Sequence, residues 1–89
     1  MLKKINEKIM HLQTNYKDRI ISNPEIMLGK PVIKGTRITV ELILGKLSQG
    51  SKMETILKSY PHIKEEDILA CLAYATEVIS HEEMVQAKK

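Results

Sequence analysis

The chain has 89 residues, 43% hydrophobic and 28% charged, which is enough for one compact domain with a single small core and too little for two. With three Tyr and neither Trp nor Phe, the core must come from Ile, Leu, Val, Met and Ala, and readout of single-stranded nucleic acid on a platform of stacked aromatics is disfavoured. The net charge of +3 is uneven: residues 1–58 carry 11 Lys and Arg against 5 acids, residues 59–89 carry 3 Lys against 6 acids, so the first part is the candidate for meeting a polyanion.

Leu2, Ile5, Ile9 and Leu12 recur at helical spacing, with Lys3, Lys4, Lys8 and Glu7 on the other faces, which predicts a short amphipathic N-terminal helix. About a dozen residues are marginal as an isolated helix, so this one must pack on the domain, on a second chain or on a partner. Residues 1–17 therefore read as an N-terminal arm, 18–80 as the folded domain and 81–89 as a polar C-terminal tail.

The β-branched pair Ile20-Ile21 predicts a short extended segment, and Asn23-Pro24 a turn. The stretch "GKPVIKGTRITV", residues 29–40, places Lys34-Gly35 between two apolar runs, as a tight hairpin requires. A two-residue turn there sets Ile33 opposite Thr36, Val32 opposite Arg37 and Pro31 opposite Ile38, with Pro31, Ile33 and Ile38 on the buried face. Pro31 has no N–H for a ladder, which suits a strand start.

Thr39 is placed to cap a first core helix along Val40, Ile43, Leu44 and Leu47, with Glu41 in the first turn and Gly50 at the left-handed end. Ser51 and Glu54 have the spacing of a capping box before Met53, Ile56, Leu57 and Tyr60, and Pro61 ends that second helix. The third begins near Lys64, with Glu65, Glu66 and Asp67 in its first turn and an apolar stripe of Ile68, Leu72, Ala75 and Ile79 flanked by Leu69 and Val78. The fold predicted is mainly α, a three-helix core behind a small β-hairpin. Two short helices joined at a Gly-containing turn match the helix-turn-helix plan, a plan that periodicity alone does not separate from other three-helix domains.

The chemistry carried by these elements is sparse. Five residues separate Gly29 from Gly35, where a phosphate-binding P-loop needs four, and Thr36, not lysine, follows the second glycine, which excludes that motif. The single Cys71 allows neither an intramolecular disulfide nor a cysteine-built zinc site and reads as a small buried apolar residue. His11, His62 and His81 are scattered, and only His81 has carboxylates near it in sequence, so no metal or cofactor is expected. No acid–base pair stands out, and no enzymatic activity is expected. No stretch approaches the roughly 20 apolar residues of a membrane span, and "MLKKINEKIMHL" has no signal-peptide core; the expected location is the cytoplasm.

The remaining signal is basic. Lys30, Lys34 and Arg37 surround the hairpin, and Lys46, Lys52 and Lys58 lie on the first two core helices; these six are the candidates for binding nucleic acid or a protein partner. A guanidinium on a rigid hairpin clamps phosphate or carboxylate at two points, while the plainer alternative for Arg37 is a surface ion pair. The acidic first turn of the third helix counts against standard docking of a helix-turn-helix on DNA.

Residues 21–78 contain "GKPVIKGTRITV", "GSKMETILKSYPHI" and "EDILACLAYA" in the order and separation seen in the domain of unknown function 433 family, which the chain resembles. These are small bacterial and archaeal proteins often classed as VapB-like antitoxins. The resemblance implies a homeodomain-like helix-turn-helix core with an N-terminal β element, a homodimer, and pairing with a PIN-like toxin nuclease. One departure is Lys64, where the family usually has a Ser or Thr cap. The function expected is that of a non-enzymatic antitoxin-like protein binding a PIN-like nuclease toxin and operator DNA, with Arg37, Lys34 or Lys30 entering the toxin's carboxylate-lined pocket; the alternative is a stand-alone DNA-binding regulator.

Overall fold

The computed structural model describes residues 16–87, and the side-chain surroundings of residues 16–81. The N-terminal helix expected over Leu2 to Leu12 lies outside the described residues. A 3-10 turn, Tyr16–Asp18, leads into strand β1 (Ile20–Ile21), strand β2 (Val32–Ile33) and helices α1 (Val40–Ser48), α2 (Met53–Ser59) and α3 (Glu65–Ala87). The architecture is the mainly helical one expected, three helices and a small antiparallel sheet, although α3 continues through the stretch 81–87 expected as a polar tail.

The sheet corrects the predicted hairpin. β2 pairs with β1, Ile20 opposite Ile33 and Ile21 opposite Val32, not with the residues just after the turn. A β-turn does form over Lys34-Gly35: the Thr36 N–H donates to the Ile33 carbonyl at 3.0 Å and Gly35 has φ +82°. The chain nevertheless returns two residues later than predicted, with Ile33 N–H on the Ile38 carbonyl at 2.9 Å and Val32 opposite Thr39. The reason is turn geometry. A two-residue hairpin needs positive φ at its first central residue, and Lys34 does not adopt it, so Thr36 and Arg37 remain in a loop. The buried set also differs, since Val32 and Ile33 are both buried while Pro31 and Ile38 are half-buried. Consecutive strand residues point to opposite faces, so β2 is covered on both sides.

The helix ends follow local chemistry. Thr39 caps α1, its Oγ1 accepting the Leu42 N–H at 3.0 Å. At the other end Gly50, φ +95°, lets its own N–H reach the Leu47 carbonyl and the Ser51 N–H reach the Lys46 carbonyl, each at 3.0 Å, the two bonds of a Schellman termination. The Ser51 N–H is taken there and so is not free for Glu54, and the predicted capping box does not form: α2 starts at Met53 with Lys52 as cap and no side-chain cap bond. The start of α3 is instead closed by Asp67, whose Oδ2 accepts the Lys64 N–H at 2.8 Å. This is the reaching-back half of a capping box, made without Ser or Thr at the cap.

Ile20, Ile33, Val40, Ile43, Ile56, Ile63, Ile68, Ala70 and Cys71 form the core, with Tyr16, Leu47, Leu57, Tyr60 and Tyr74 packed against it. Ile63 and Ile68 bracket the start of α3 at the positions of a hydrophobic staple. α3 buries Asp67, Ile68, Ala70 and Cys71, which shifts its inner face from the predicted stripe: Ile68 is inside, whereas Leu69, Leu72, Val78 and Ile79 are exposed. Small Ala70 and Cys71 allow close packing of the elements that α3 faces, and that closeness selects one of two overlapping apolar faces.

Candidate functional site

The loop from Lys34 to Arg37 is the most tightly built basic feature of the described residues. Thr36 locks it from within, its hydroxyl donating to the Ile33 carbonyl at 2.7 Å and accepting the Ile38 N–H at 3.0 Å. From outside, the Lys34 N–H donates to the Arg19 carbonyl at 2.7 Å, and the Arg19 Nη1 donates to Asp67 Oδ1 at 3.0 Å. A short chain of bonds thus runs from the first turn of α3 through Arg19, just before β1, to the loop. Lys34 and Arg37 are both exposed on it, and neither forms an ion pair among the described residues.

The other predicted residues divide. Lys30 is tied to Glu41 at 3.0 Å, an exposed pair that carries little stability. Lys46 lies 5.9 Å from the centre of the Tyr60 ring, within cation–π range. Lys52, the cap of α2, and Lys58 on that helix are exposed and make no ion pair among the described residues. The structure therefore brings Lys34 and Arg37 together on one rigid loop, engages Lys30 and Lys46 internally, and leaves Lys52 and Lys58 on a separate element.

One feature escaped sequence reasoning. Met27, Leu28 and Gly29 all have positive φ, at 50°, 59° and 84°, and form a left-handed turn closed by Gly29 N–H to Ile26 carbonyl at 3.0 Å and Lys30 N–H to Met27 carbonyl at 3.1 Å. Only Gly adopts this region freely, so two bulky residues there are costly. The turn displays Leu28 at 93% exposure. It is reached from the Asn23 turn, where the Asn23 side chain accepts the Glu25 N–H at 2.9 Å, as the Asn-Pro pair predicted. The Gly after Leu28 is the one sequence signal that marked the spot.

Asp67 also departs from its reading as a mere dipole-favoured acid. It is buried and joins the α3 cap to Arg19. Cys71 is the small buried residue expected; burial, with a smaller effect of nearby Asp67, pushes its thiol from 9.0 up to about 12, so it is a protonated, inert group at neutral pH. No helix among the described residues is long and apolar enough to cross a membrane.

Comparison with known proteins places this geometry. A family model described as "Protein of unknown function (DUF433)" matches residues 20–75, the span from β1 into α3 that includes the loop, the left-handed turn and Asp67. The uncharacterized protein y4eO of Sinorhizobium fredii (strain NBRC 101917 / NGR234) is 32% identical over 56 residues, 63% of this chain and 25% of that protein; the chain spans about a quarter of the length of this curated relative. A crystal structure of a DUF433 member protein from Anabaena variabilis ATCC 29413 superposes with a TM-score of 0.68 at 22% identity, over 96% of this chain and 83% of that one. The shared fold is what that likeness shows.

Proposed function

We propose that this chain, which belongs to the DUF433 family of proteins of unknown function, is an antitoxin-like module that binds a PIN-like nuclease toxin through the Lys34–Arg37 loop. The observation that supports it is Arg37: an exposed guanidinium, without an ion pair among the described residues, on a loop fixed by Thr36 at one end and Arg19 at the other. PIN-like nucleases carry carboxylates clustered around a metal. A guanidinium meets such a cluster with two parallel hydrogen bonds, and a loop backbone that is already fixed leaves only the side chain to be ordered on binding.

The test is co-expression with the product of the adjacent open reading frame, followed by affinity capture and a ribonuclease assay. Capture of a PIN-like protein, suppression of its activity, and loss of both on Arg37→Glu with the fold intact are expected. A chain that purifies alone and leaves nuclease activity unchanged refutes the reading.

Exposed Lys52, the cap of α2, and Lys58 on it favour a second reading, a DNA-binding regulator in which these lysines grip phosphates while α2 and α3 approach the groove. Glu65 and Glu66, exposed at the start of α3, would repel phosphates there. Binding to the chain's own promoter that weakens steeply with salt, by counterion release, and that falls on Lys52→Glu would support it; absence of binding at low salt removes it.

A further inference from the structure

We propose that the amphipathic segment Leu2 to Leu12 of the same chain covers the outer half of α3. The helix has 23 residues, about 35 Å at 1.5 Å per residue, and outlasts the core it packs on. Among its residues whose surroundings are described, the buried positions end at Cys71 and Tyr74 is the last one packed against the core. Val78 lies two turns beyond Cys71 on the same face, yet it is 39% exposed, and Ile79 beside it is 54% exposed. Leu72, at 41%, extends the same apolar surface along the flank. The core-facing side of α3 thus continues past the core with no cover among the described residues.

Three observations identify the occupant. Tyr16 lies edge-on against Tyr74, ring centres 5.8 Å apart at 82°, so the chain upstream of Tyr16 begins where the cover of α3 ends. That upstream chain holds the repeat Leu2, Ile5, Ile9 and Leu12, an apolar stripe of matching length, and residues 13–15 span at most about 10 Å, too little to carry it far. Charge decides between this segment and a second copy of α3. Residues 65–87 contain six acids and no Lys or Arg, whereas residues 1–12 contain three Lys and one Glu. Pairing α3 with itself brings one acidic helix against another, and like charges brought together oppose association; the basic segment meets opposite charge. The direction that follows is antiparallel, Leu12 nearest Tyr74 and Leu2 toward the end of α3.

Cysteine pairs in the full chain test this. Ile9→Cys is combined with Val78→Cys and, separately, with Ile79→Cys, with each single variant as a control and native Cys71 left in the core. After mild oxidation, a monomer that migrates faster without reductant is expected from at least one double variant and from no single one. Crosslinking into dimers only overturns the proposal in favour of a second copy, and no crosslinking overturns it outright. Amide hydrogen exchange over residues 75–87 gives an independent reading: Ile5→Asp with Ile9→Asp should speed it about tenfold or more while leaving residues 40–60 unchanged. An unchanged rate contradicts the packing.

Discussion

Replacing Asp67 by alanine removes two bonds from a single buried carboxylate. One is the acceptor for the Lys64 N–H at 2.8 Å, whose loss is comparable to that of a helix cap, about 1 kcal/mol. The other is the charge-assisted bond from Arg19 at 3.0 Å; such bonds contribute about 1.5–3 kcal/mol, and the Arg19 side chain is 36% exposed against 11% for Asp67, so solvent screening brings the figure down to about 1–1.5 kcal/mol. A first-turn carboxylate on the helix dipole adds about 0.5 kcal/mol. Asp67→Ala is therefore expected to cost about 3 kcal/mol, a drop in Tm of about 12–24 °C for a domain of this size. Asp67→Asn keeps an acceptor for Lys64 and should lose about half as much. Urea denaturation of Asp67→Ala, Arg19→Met and the double variant closes a cycle whose expected coupling is about 1 kcal/mol. A loss under about 1 kcal/mol for Asp67→Ala, or coupling under about 0.3 kcal/mol, refutes the idea that α3 holds β1 and the basic loop through this carboxylate.

Thr39→Ala should lower the urea midpoint by the equivalent of about 1 kcal/mol without changing the slope, because it removes only the Leu42 N–H acceptor of the α1 cap. Leu28→Gly should leave thermal stability unchanged or raise it by up to about 1 kcal/mol, since a residue 93% exposed gives up little packing while the φ of 59° is relaxed; a fall above about 1 kcal/mol contradicts this. The Cys71 thiol keeps its proton up to about pH 12 when folded and up to about 9.0 when unfolded, so between those values the unfolded state binds fewer protons and stability falls as pH rises. Denaturant unfolding at about pH 8 and about pH 10.5 should show a smaller decline for Cys71→Ala than for the native chain; equal declines refute the assignment.

Much of the fold was legible because it rests on local rules. The Thr39 cap, the Gly50 termination, the Asn23 turn and the positive φ of Gly35 each need only a few neighbouring residues, and each lies where the sequence placed it. The misreadings share a different origin. Ser51 was legible as a cap only until the Schellman bonds of α1 occupied its N–H, and the hairpin register depended on which strand β2 would choose. For the candidate site, the basic residues were plain from composition. Their sorting was not: the engagement of Lys30 by Glu41 and of Lys46 by Tyr60 depends on side chains 11 and 14 residues away in the sequence.

The sequence by itself determined the three core helices and both ends of α1, and it marked the short basic loop, because backbone hydrogen bonding and capping act over three or four residues. Only the tertiary structure decided which face of α3 is buried, that Asp67 turns inward to meet Arg19, and that Leu28 is held outward in a left-handed turn. The first two depend on close packing between distant segments, where Ala70 and Cys71 admit neighbours that Leu69 and Leu72 would hold off. An apolar pattern names the candidates for burial, and the fit of one surface against another selects among them.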